Sequence, residues 1–206
     1  MWLVRIDCSG LRLLAENGQE PQWEPHGSQV AYFEQALVQT IDVETGARLA
    51  IGPGYSPAWS PDGRSIAFVH SDPKTFRSDL FVGPADGSAR PMQLTHVDHE
   101  FGAGQPSWSP NGTSITFTFF SFGPGSAVYT IRPDGSQLTR LSDGSNSSWS
   151  PSGSKIAFIA ASGAVRVMRA DGTDLRQLRG HASIYPPAPA WSRDGKRVLV
   201  QHLRYD

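Results

Sequence analysis

The stretch that decides the fold is Pro57-Ala-Trp-Ser-Pro-Asp-Gly-Arg-Ser-Ile-Ala-Phe68. Its Ser-Pro-Asp-Gly segment suits a type I turn, because Pro presets φ at the second position, Asp is a short polar residue at the third and Gly takes a positive φ at the fourth. The residues after the turn are apolar at alternate positions, as in a strand with one buried face. The stretch therefore predicts a tight hairpin turn followed by a β-strand.

The same pattern recurs along the whole chain. Five of the six Trp residues occupy this context, at intervals of 36, 49, 41 and 42 residues: Trp23, Trp59, Trp108, Trp149 and Trp191. A second turn follows in every unit and ends in a glycine: Gly10, Gly46, Gly87, Gly135 and Gly172. Each unit is thus predicted to hold four strands in about 42 residues, a size typical of a β-propeller blade.

The termini divide one unit between them. The chain begins with only the second hairpin of a unit and ends with only the first, and the step from Trp191 across the termini to Trp23 is 38 residues. We therefore predict an all-β fold, a five-bladed β-propeller of four-stranded antiparallel blades, closed by pairing N-terminal and C-terminal strands in one shared blade. The single domain spans residues 1–206, with blades at 21–52, 57–95, 106–142, 147–179, and 189–206 joined with 1–15. A piece of a larger propeller, or a dimer through open ends, is the alternative.

Composition and charge narrow the class of protein. The 21 Gly and 16 Pro are spread evenly, which excludes a helical bundle or a doubly wound α/β fold. A net charge of −1 indicates no basic surface of the kind that binds nucleic acid, so a nucleic-acid partner is not expected. Residues 1–14 carry Arg5, Asp7 and Arg12 inside their only apolar run, so they match neither a secretory signal nor a membrane span. The expectation is a cytoplasmic protein, or a periplasmic one if a signal has been removed, without membrane insertion.

The repeat resembles a known family. Residues 57–68, and nearly so 106–117 and 147–158, are similar to the TolB-type propeller repeat, as are the Ala-Asp-Gly turns at 85–88 and 170–173. The first and last units depart from the pattern at Glu24, His26 and Arg193. The resemblance implies that the motif residues are scaffold. It also implies several functions: binding partners of the cell envelope, serving as a non-catalytic domain beside peptidases, or acting as a polysaccharide lyase with a His-bound metal.

Blade topology separates two faces of the predicted ring. Both motif turns of each unit lie on one face, here called the turn face, and the longer connections lie on the other, the loop face. Loops 14–20, 51–56 and 142–147 are predicted to be short and without chemistry, whereas loops 70–79, 95–105 and 179–189 are longer and carry His, acidic and aromatic residues. Five of the six His residues are expected on the loop face, and only His26 falls in a motif turn.

The preferred function is a non-catalytic scaffold that binds a protein or peptide partner through the loop face without a cofactor. Loop residues of a rigid scaffold are common binding groups, and aromatic ones serve as anchors. The predicted binding residues are His70, His96, His99, Glu100, Phe101, Phe120, Phe122, His181 and Tyr185. Packing of the Phe residues at 119–122 between blades is an equally open interpretation.

The alternative function is an enzyme or a sugar-binding propeller that uses the His-rich loops. His96, Asp98, His99 and His181 are weak candidates for metal ligands, because a His-x-x-His spacing in a loop lacks the helical spacing of metalloproteases. A metal site there would suit a metal-assisted carbohydrate-active enzyme of the polysaccharide-lyase kind, and the same loops would suit a sugar-binding propeller. No Gly-x-Ser-x-Gly elbow and no phosphate loop occurs, so no catalytic residue is assigned.

Overall fold

The computed structural model describes residues 1–4, 7, 9–96, 102–121, 125–181 and 188–201, and it is built of strands and turns with no helix in those ranges. Four antiparallel four-stranded sheets, here called blades 1 to 4, follow one another along the chain. Blades 1 and 2 are formed by β3 (Gln19–Trp23), β4 (Gln29–Glu34), β5 (Leu37–Asp42) and β6 (Arg48–Pro53), and by β7 (Tyr55–Trp59), β8 (Ser65–Ser71), β9 (Ser78–Pro84) and β10 (Met92–Gln93). Blades 3 and 4 are formed by β11 (Ala103–Trp108), β12 (Ile115–Phe119), β13 (Ala127–Ile131) and β14 (Thr139–Asp143), and by β15 (Ser145–Trp149), β16 (Lys155–Ile159), β17 (Ala164–Arg169) and β18 (Arg176–His181).

Each end of the chain contributes a two-stranded hairpin. The N-terminal hairpin pairs β1 (Trp2–Leu3) with β2 (Arg12–Leu13), and the C-terminal hairpin pairs β19 (Ala190–Trp191) with β20 (Val198–Leu199). The all-β fold with four-stranded antiparallel blades is thereby confirmed. The number of five blades and the closure of the ring stay predictions, since no sheet within the described ranges joins the two hairpins.

The Ser-Pro-Asp-Gly segment forms the turn that its residues predict. In blade 2, Gly63 has φ 71° and its N–H donates to Ser60 O at 2.9 Å. Ser60 Oγ donates to Asp62 Oδ1 at 2.6 Å and accepts from the N–H of Ser65 at 2.9 Å. These bonds satisfy the polar groups at the hairpin end and fix where β8 begins, so the motif serves as scaffold.

The hydrophobic core lies between the blades. Val38 and Ile51 of blade 1 pack with Trp59 and Phe68 of blade 2. The next two joints follow the same plan: Leu80 and Leu94 meet Ile115 and Phe117 between blades 2 and 3, and Val128 meets Ile156, Phe158 and Met168 between blades 3 and 4. Each blade therefore needs both of its neighbours to bury its apolar faces.

The two terminal hairpins pack on opposite ends of this row. Leu14 and Ala15, which follow the N-terminal hairpin, are buried against Tyr32 of blade 1. At the other end, the C-terminal hairpin contacts blade 4, where Trp191 Nε1 donates to Ser148 O at 3.2 Å. Ser148 Oγ in turn donates to Pro189 O. Each hairpin thus contacts the blade next to it in sequence.

Candidate functional site

The repeated tryptophans link each blade to the one before it. Trp59 Nε1 donates to Gln22 O at 3.0 Å, Trp108 Nε1 to Ala58 O at 3.1 Å, and Trp149 Nε1 to Ser107 O at 3.2 Å. In each case the acceptor is the residue directly before the Trp of the preceding blade. This series of bonds holds the innermost strands side by side around a common centre.

A central cavity of 780 Å³ lies inside these innermost strands. Gln22 and Trp23 of blade 1, Ala58 of blade 2, Ser107 of blade 3 and Ser148 of blade 4 line it, and the remaining residues along its wall are Pro25, Pro57, Trp59, Gln105, Pro106, Trp108, Asn146, Ser147, Ala188 and Gln201. All five sequence units reach this wall, and none of the described residues that line it carries a formal charge. The volume lies within the range of small-molecule sites.

Every innermost strand of blades 1 to 4 bulges at the same position. The residue three before the Trp has a positive φ although it is not glycine: Glu20 at 49°, Ser56 at 51°, Gln105 at 55° and Asn146 at 55°. At each of these places the pairing register with the next strand shifts. A left-handed conformation at such residues costs about 1 kcal/mol or more, so the surrounding fold must enforce it. The bulges set four polar side chains at one level of the ring.

Hydrogen bonds fix the orientation of Gln105. Its Oε1 accepts from Thr118 Oγ1 at 2.9 Å and from the N–H of Asn146 at 3.2 Å. A backbone N–H can only donate, so the amide oxygen must face Asn146 and the Nε2 group must turn away. Gln105 lines both the central cavity and a second pocket, which places this side chain where the two meet.

The second pocket, of 360 Å³, opens on the loop face and is called the loop-face pocket below. Tyr55, Phe76 and Phe120 supply its aromatic surface, and its other lining residues are Glu20, Ser56, Ser78, Gly102, Ala103, Gly104 and Gln105. Tyr55 is held in place by hydroxyl contacts, since its OH lies 3.0 Å from Ser71 Oγ and 3.1 Å from Ser78 Oγ. The pocket therefore combines fixed aromatic rings with a carboxylate and an amide.

Two glycines let the pocket wall form. A Cβ at Gly104 would lie 2.5 Å from Cε2 of Phe120, and a Cβ at Gly102 would lie 2.0 Å from Ser78 O. Both distances are far below normal contact, so only glycine allows the Phe120 ring and the β9 backbone to approach β11 so closely.

The loop between β8 and β9 displays Phe76 to solvent. Asp72 organises this loop, because the N–H of Phe76 donates to Asp72 O at 2.8 Å and the N–H of Lys74 donates to Asp72 Oδ1 at 2.7 Å. The bond from the Lys74 backbone lowers the pKa of Asp72. Phe76 has φ 57° and its side chain is 80 % exposed. An ordered hydrogen-bonded loop thus presents a bare aromatic ring at the rim of the pocket.

The predicted binding residues have different outcomes. Phe120 lines the loop-face pocket. His70 is half-buried near the loop end of β8, with its ring edge-on to Phe81 at 5.8 Å, a packing role. His96 is exposed after β10, and His181 is the last residue of β18. The remaining predictions, together with Asp98, lie outside the described residues: His99, Glu100, Phe101, Phe122 and Tyr185.

Several residues that line the two cavities were not predicted from the sequence. The loops expected to lack chemistry contain Glu20, Ser56, Asn146 and Ser147, all of which line a cavity. Their signal was present in the sequence as a polar residue three places before four of the five motif Trp residues, with Ser147 next to it in blade 4. It could be interpreted only once the bulge at this position was known. Phe119 belongs to β12, and its ring lies 5.8 Å from that of Tyr129, so this Phe is half-buried against the core between blades 2 and 3.

Two further features concern the described residues: clusters of metal-binding side chains and membrane-spanning helices. Within the part of the chain that the structure describes, no three His, Cys, Asp or Glu side chains come together in a way that could hold a metal ion. Two of the four candidate ligands, Asp98 and His99, fall outside that part. The described ranges contain no helix long and apolar enough to cross a membrane.

Four-stranded antiparallel blades packed in sequence around a central cavity define a β-propeller protein. The model of the TolB β-propeller domain matches residues 14–204, and the chain belongs to that family. Comparison with curated proteins gave no match.

Solved structures show the same fold at low sequence identity. A candidate TolB from Agrobacterium tumefaciens has a TM-score of 0.62 at 21 % identity, over 98 % of this chain and 97 % of that one. An oligogalacturonate lyase in complex with manganese has a TM-score of 0.71 at 14 % identity, over 94 % of this chain and 62 % of that one. The β-propeller domain of the Trilobed protease from Pyrococcus furiosus, which has an open velcro topology, has a TM-score of 0.63 at 13 % identity, over 89 % and 70 %. At such identities the likeness concerns the fold alone.

Proposed function

We propose that the protein is a non-catalytic propeller scaffold that binds a protein or peptide partner through its loop face. The observation that carries this proposal is Phe76, 80 % exposed on a hydrogen-bonded loop at the rim of the loop-face pocket. An aromatic ring beside a preformed pocket is typical of the anchor at the centre of a protein interface.

The ordering of the loop strengthens this interpretation. A partner that contacts Phe76 has little loop entropy to remove, because the bonds of Asp72 already fix the backbone. Beside it, Tyr55 and Phe120 extend the apolar surface, while Glu20 and Gln105 supply polar groups at its edge. An apolar centre with a polar border is the usual composition of a binding surface between proteins.

A peptide selection tests the proposal. Peptides from a random displayed library are selected on the wild-type protein, and their affinities are then measured for Phe76→Ser and for Leu138→Ser. Leu138 is the matched control, since it is 54 % exposed but lies beside a turn on the turn face. We expect peptides whose binding falls at least tenfold with Phe76→Ser and is unchanged with Leu138→Ser. Peptides that respond to Leu138→Ser, or to neither substitution, would contradict a loop-face site.

We also propose that the two terminal hairpins are halves of a fifth blade within one domain, which closes the ring. Each hairpin already contacts the correct neighbour. Gln22 and Trp23 of blade 1 and Ala188 and Gln201 of the C-terminal segment line the same cavity. Continuing the tryptophan series would pair Trp23 Nε1 with Ala190 O, the residue before Trp191.

Blades 2, 3 and 4 share one register, which we apply to the missing pairing. In blade 1 the pairing differs by one residue, since Tyr32 pairs with Gln39, seven residues before the turn glycine. In blade 3 Phe117, nine residues after the Trp, pairs with Tyr129, six residues before the glycine of the second turn. The same spacing pairs Phe158 with Arg166 in blade 4. Applied to the termini, it pairs Val200 with Val4.

Cysteine cross-linking tests this closure. Directly paired antiparallel residues have Cα atoms about 4.5–5.5 Å apart, within reach of a disulfide. In a Cys8→Ser background, Val4→Cys with Val200→Cys should form an intramolecular disulfide, seen as a faster monomer band on a non-reducing gel. Val4→Cys with Leu199→Cys is the control, because Leu199 would face the other side of the sheet. Cross-linked dimers, or no cross-link at all, would show that the ring does not close within one molecule.

A further inference from the structure

Glu20 brings a negative charge to the loop-face pocket. Among the described residues that line this pocket, it is the single one with a charged side chain. Glu20 lies at the bulge three residues before Trp23. The other four units carry an uncharged residue at this position: Ser56, Gln105, Asn146 and Ala188. The propeller scaffold therefore does not require a carboxylate there, and folding alone does not explain the charge of Glu20.

The carboxylate of Glu20 is accessible to a ligand. The residue is exposed, and its side chain forms no hydrogen bond or ion pair with any residue of the described ranges. Its backbone has φ 49° at a register shift between β3 and β4, so the bulge fixes where the side chain leaves the strand. Both carboxylate oxygens can therefore accept hydrogen bonds from a group that enters the pocket.

Three aromatic rings line the pocket together with this carboxylate. Phe76 is 80 % exposed, whereas Tyr55 and Phe120 are half-buried. The Tyr55 ring lies edge-on to that of Phe33 at 6.3 Å, and its hydroxyl contacts two serine hydroxyls, so its position is fixed. Aromatic faces attract cations because the ring quadrupole is negative there, and a guanidinium also stacks on them. The rings and the carboxylate thus favour the same kind of group.

Other charged residues lie near the pocket in sequence. Lys74 and Arg77 belong to the loop between β8 and β9 but do not line the pocket. Residues 97–101 and 122–124, which lie outside the described structure and adjoin lining residues in sequence, include two acidic residues and no Lys or Arg. An anionic ligand would be repelled by Glu20, and an apolar one would remove its water without replacing the hydrogen bonds. A cation avoids both costs.

We propose that the loop-face pocket binds an arginine side chain of the partner. Glu20 accepts hydrogen bonds from the guanidinium, and Tyr55, Phe76 and Phe120 surround it with aromatic surface. Arginine fits better than lysine, because its planar guanidinium both stacks on rings and donates two parallel bonds to a carboxylate. This inference rests on the proposed binding of a protein or peptide through the loop face, and it names the residue that such a partner inserts.

A charged probe and its neutral isostere test the pocket directly. N-acetyl-arginine amide and N-acetyl-citrulline amide are titrated by protein NMR, at low and high salt, into wild type, Glu20→Gln, Phe76→Ser and Glu44→Gln. Glu44→Gln is the matched control, because it removes the same charge from an exposed residue between β5 and β6, on the turn face. Glu20→Gln should keep the melting temperature of wild type, since Gln105 takes the same conformation at the equivalent position of blade 3.

We expect the arginine probe to bind wild type at least about fivefold more tightly than the citrulline probe, and Glu20→Gln and Phe76→Ser at least about fivefold more weakly than wild type. Glu44→Gln should bind like wild type, and salt should weaken the binding of the arginine probe. The proposal is wrong if the arginine probe does not bind at millimolar concentration, if citrulline binds equally well, or if Glu20→Gln binds like wild type.

The peptides selected on the wild-type protein separate this proposal from the function on which it rests. We expect the peptides that depend on Phe76 to contain an arginine, whose replacement by citrulline weakens binding at least about fivefold. Peptides that lose binding with Phe76→Ser but keep it with Glu20→Gln would leave the loop-face site in place and overturn the arginine. Peptides that respond to neither substitution would contradict the loop-face site itself.

Discussion

The same motif occurs in two different surroundings. One is the joint between blades 1 and 2, and the other is the place where the two terminal hairpins would meet beside blade 1, here called the seam. Trp59 is 8 % exposed and donates to Gln22 O, whereas Trp23 is 56 % exposed. The strand that ends at Trp59 is mostly buried or half-buried, but the strand that ends at Trp23 is exposed throughout. The motif tryptophan is therefore buried by the preceding blade and not by its own.

Exposed apolar side chains concentrate near the seam. Among the large hydrophobic residues exposed in the described ranges, six lie in or next to the terminal hairpins or at the start of blade 1: Trp2, Val4, Leu11, Leu13, Trp23 and Leu199. Elsewhere such residues are scattered, as is normal for a soluble surface. The concentration is what two halves of an unjoined blade would leave uncovered.

Replacing the joint tryptophan should have the largest effect. Trp59→Ala removes a buried indole and its hydrogen bond, so we expect a loss of about 3–5 kcal/mol in the free energy of unfolding, measured by urea denaturation. Trp23→Ala should lose a similar amount if the ring closes in solution as proposed. A loss below about 1 kcal/mol for Trp23→Ala, with the full loss for Trp59→Ala, would show that the seam stays open.

A pair of tyrosines compares the two joints more finely. Tyr32 is fully buried where the N-terminal segment packs on blade 1, and its OH has no partner among the described residues, whereas Tyr55 OH contacts two serines. Tyr32→Phe should keep or raise the free energy of unfolding by about 1 kcal/mol, and Tyr55→Phe should lower it by about 1 kcal/mol. A clear loss for Tyr32→Phe would mean that closure gives this hydroxyl a partner.

The smallest expected effect concerns how the melting temperature falls at low pH. The hydroxyl of Ser28, 2.6 Å away, is the main cause that lowers the pKa of Asp42 to about 2, with the Thr45 N–H and hydroxyl adding to it. A depressed pKa gives stability that is present above the unfolded value of about 3.9 and is lost as the pH falls towards 2. The melting temperature should therefore drop across this window, and Asp42→Asn should flatten the drop.

The matched residue across the seam is Asp7, whose pKa is lowered by the hydroxyl of Ser9. Asp7→Asn should likewise reduce the fall of the melting temperature at low pH if the N-terminal hairpin unfolds together with the blades. A profile identical to wild type would mean that this hairpin separates before the rest of the protein unfolds.

The sequence predicted the all-β scaffold of four-stranded blades, whereas the binding residues that it named stay a prediction. Turn chemistry at Ser60, Asp62 and Gly63 is local, so the residues themselves specify it, and the strand alternation after it is equally local. The predicted binding residues were chosen by their chemistry and by the length of their loops. His70 was expected in the site because of its chemistry, yet it packs on Phe81, while Glu20 and Asn146 were passed over because their loops were short.

Local residue preferences specify an all-β chain of repeated four-stranded units, since turn residues and alternation act within a few positions of the chain. Which side chains meet depends on how the blades pack. A bulge three residues before the Trp of each of blades 1 to 4 turns Gln105 and Asn146 towards a shared wall, and the absence of a side chain at Gly104 makes room for Phe120. These contacts join residues of different strands and blades, and their geometry depends on how the blades pack rather than on any local preference of the chain.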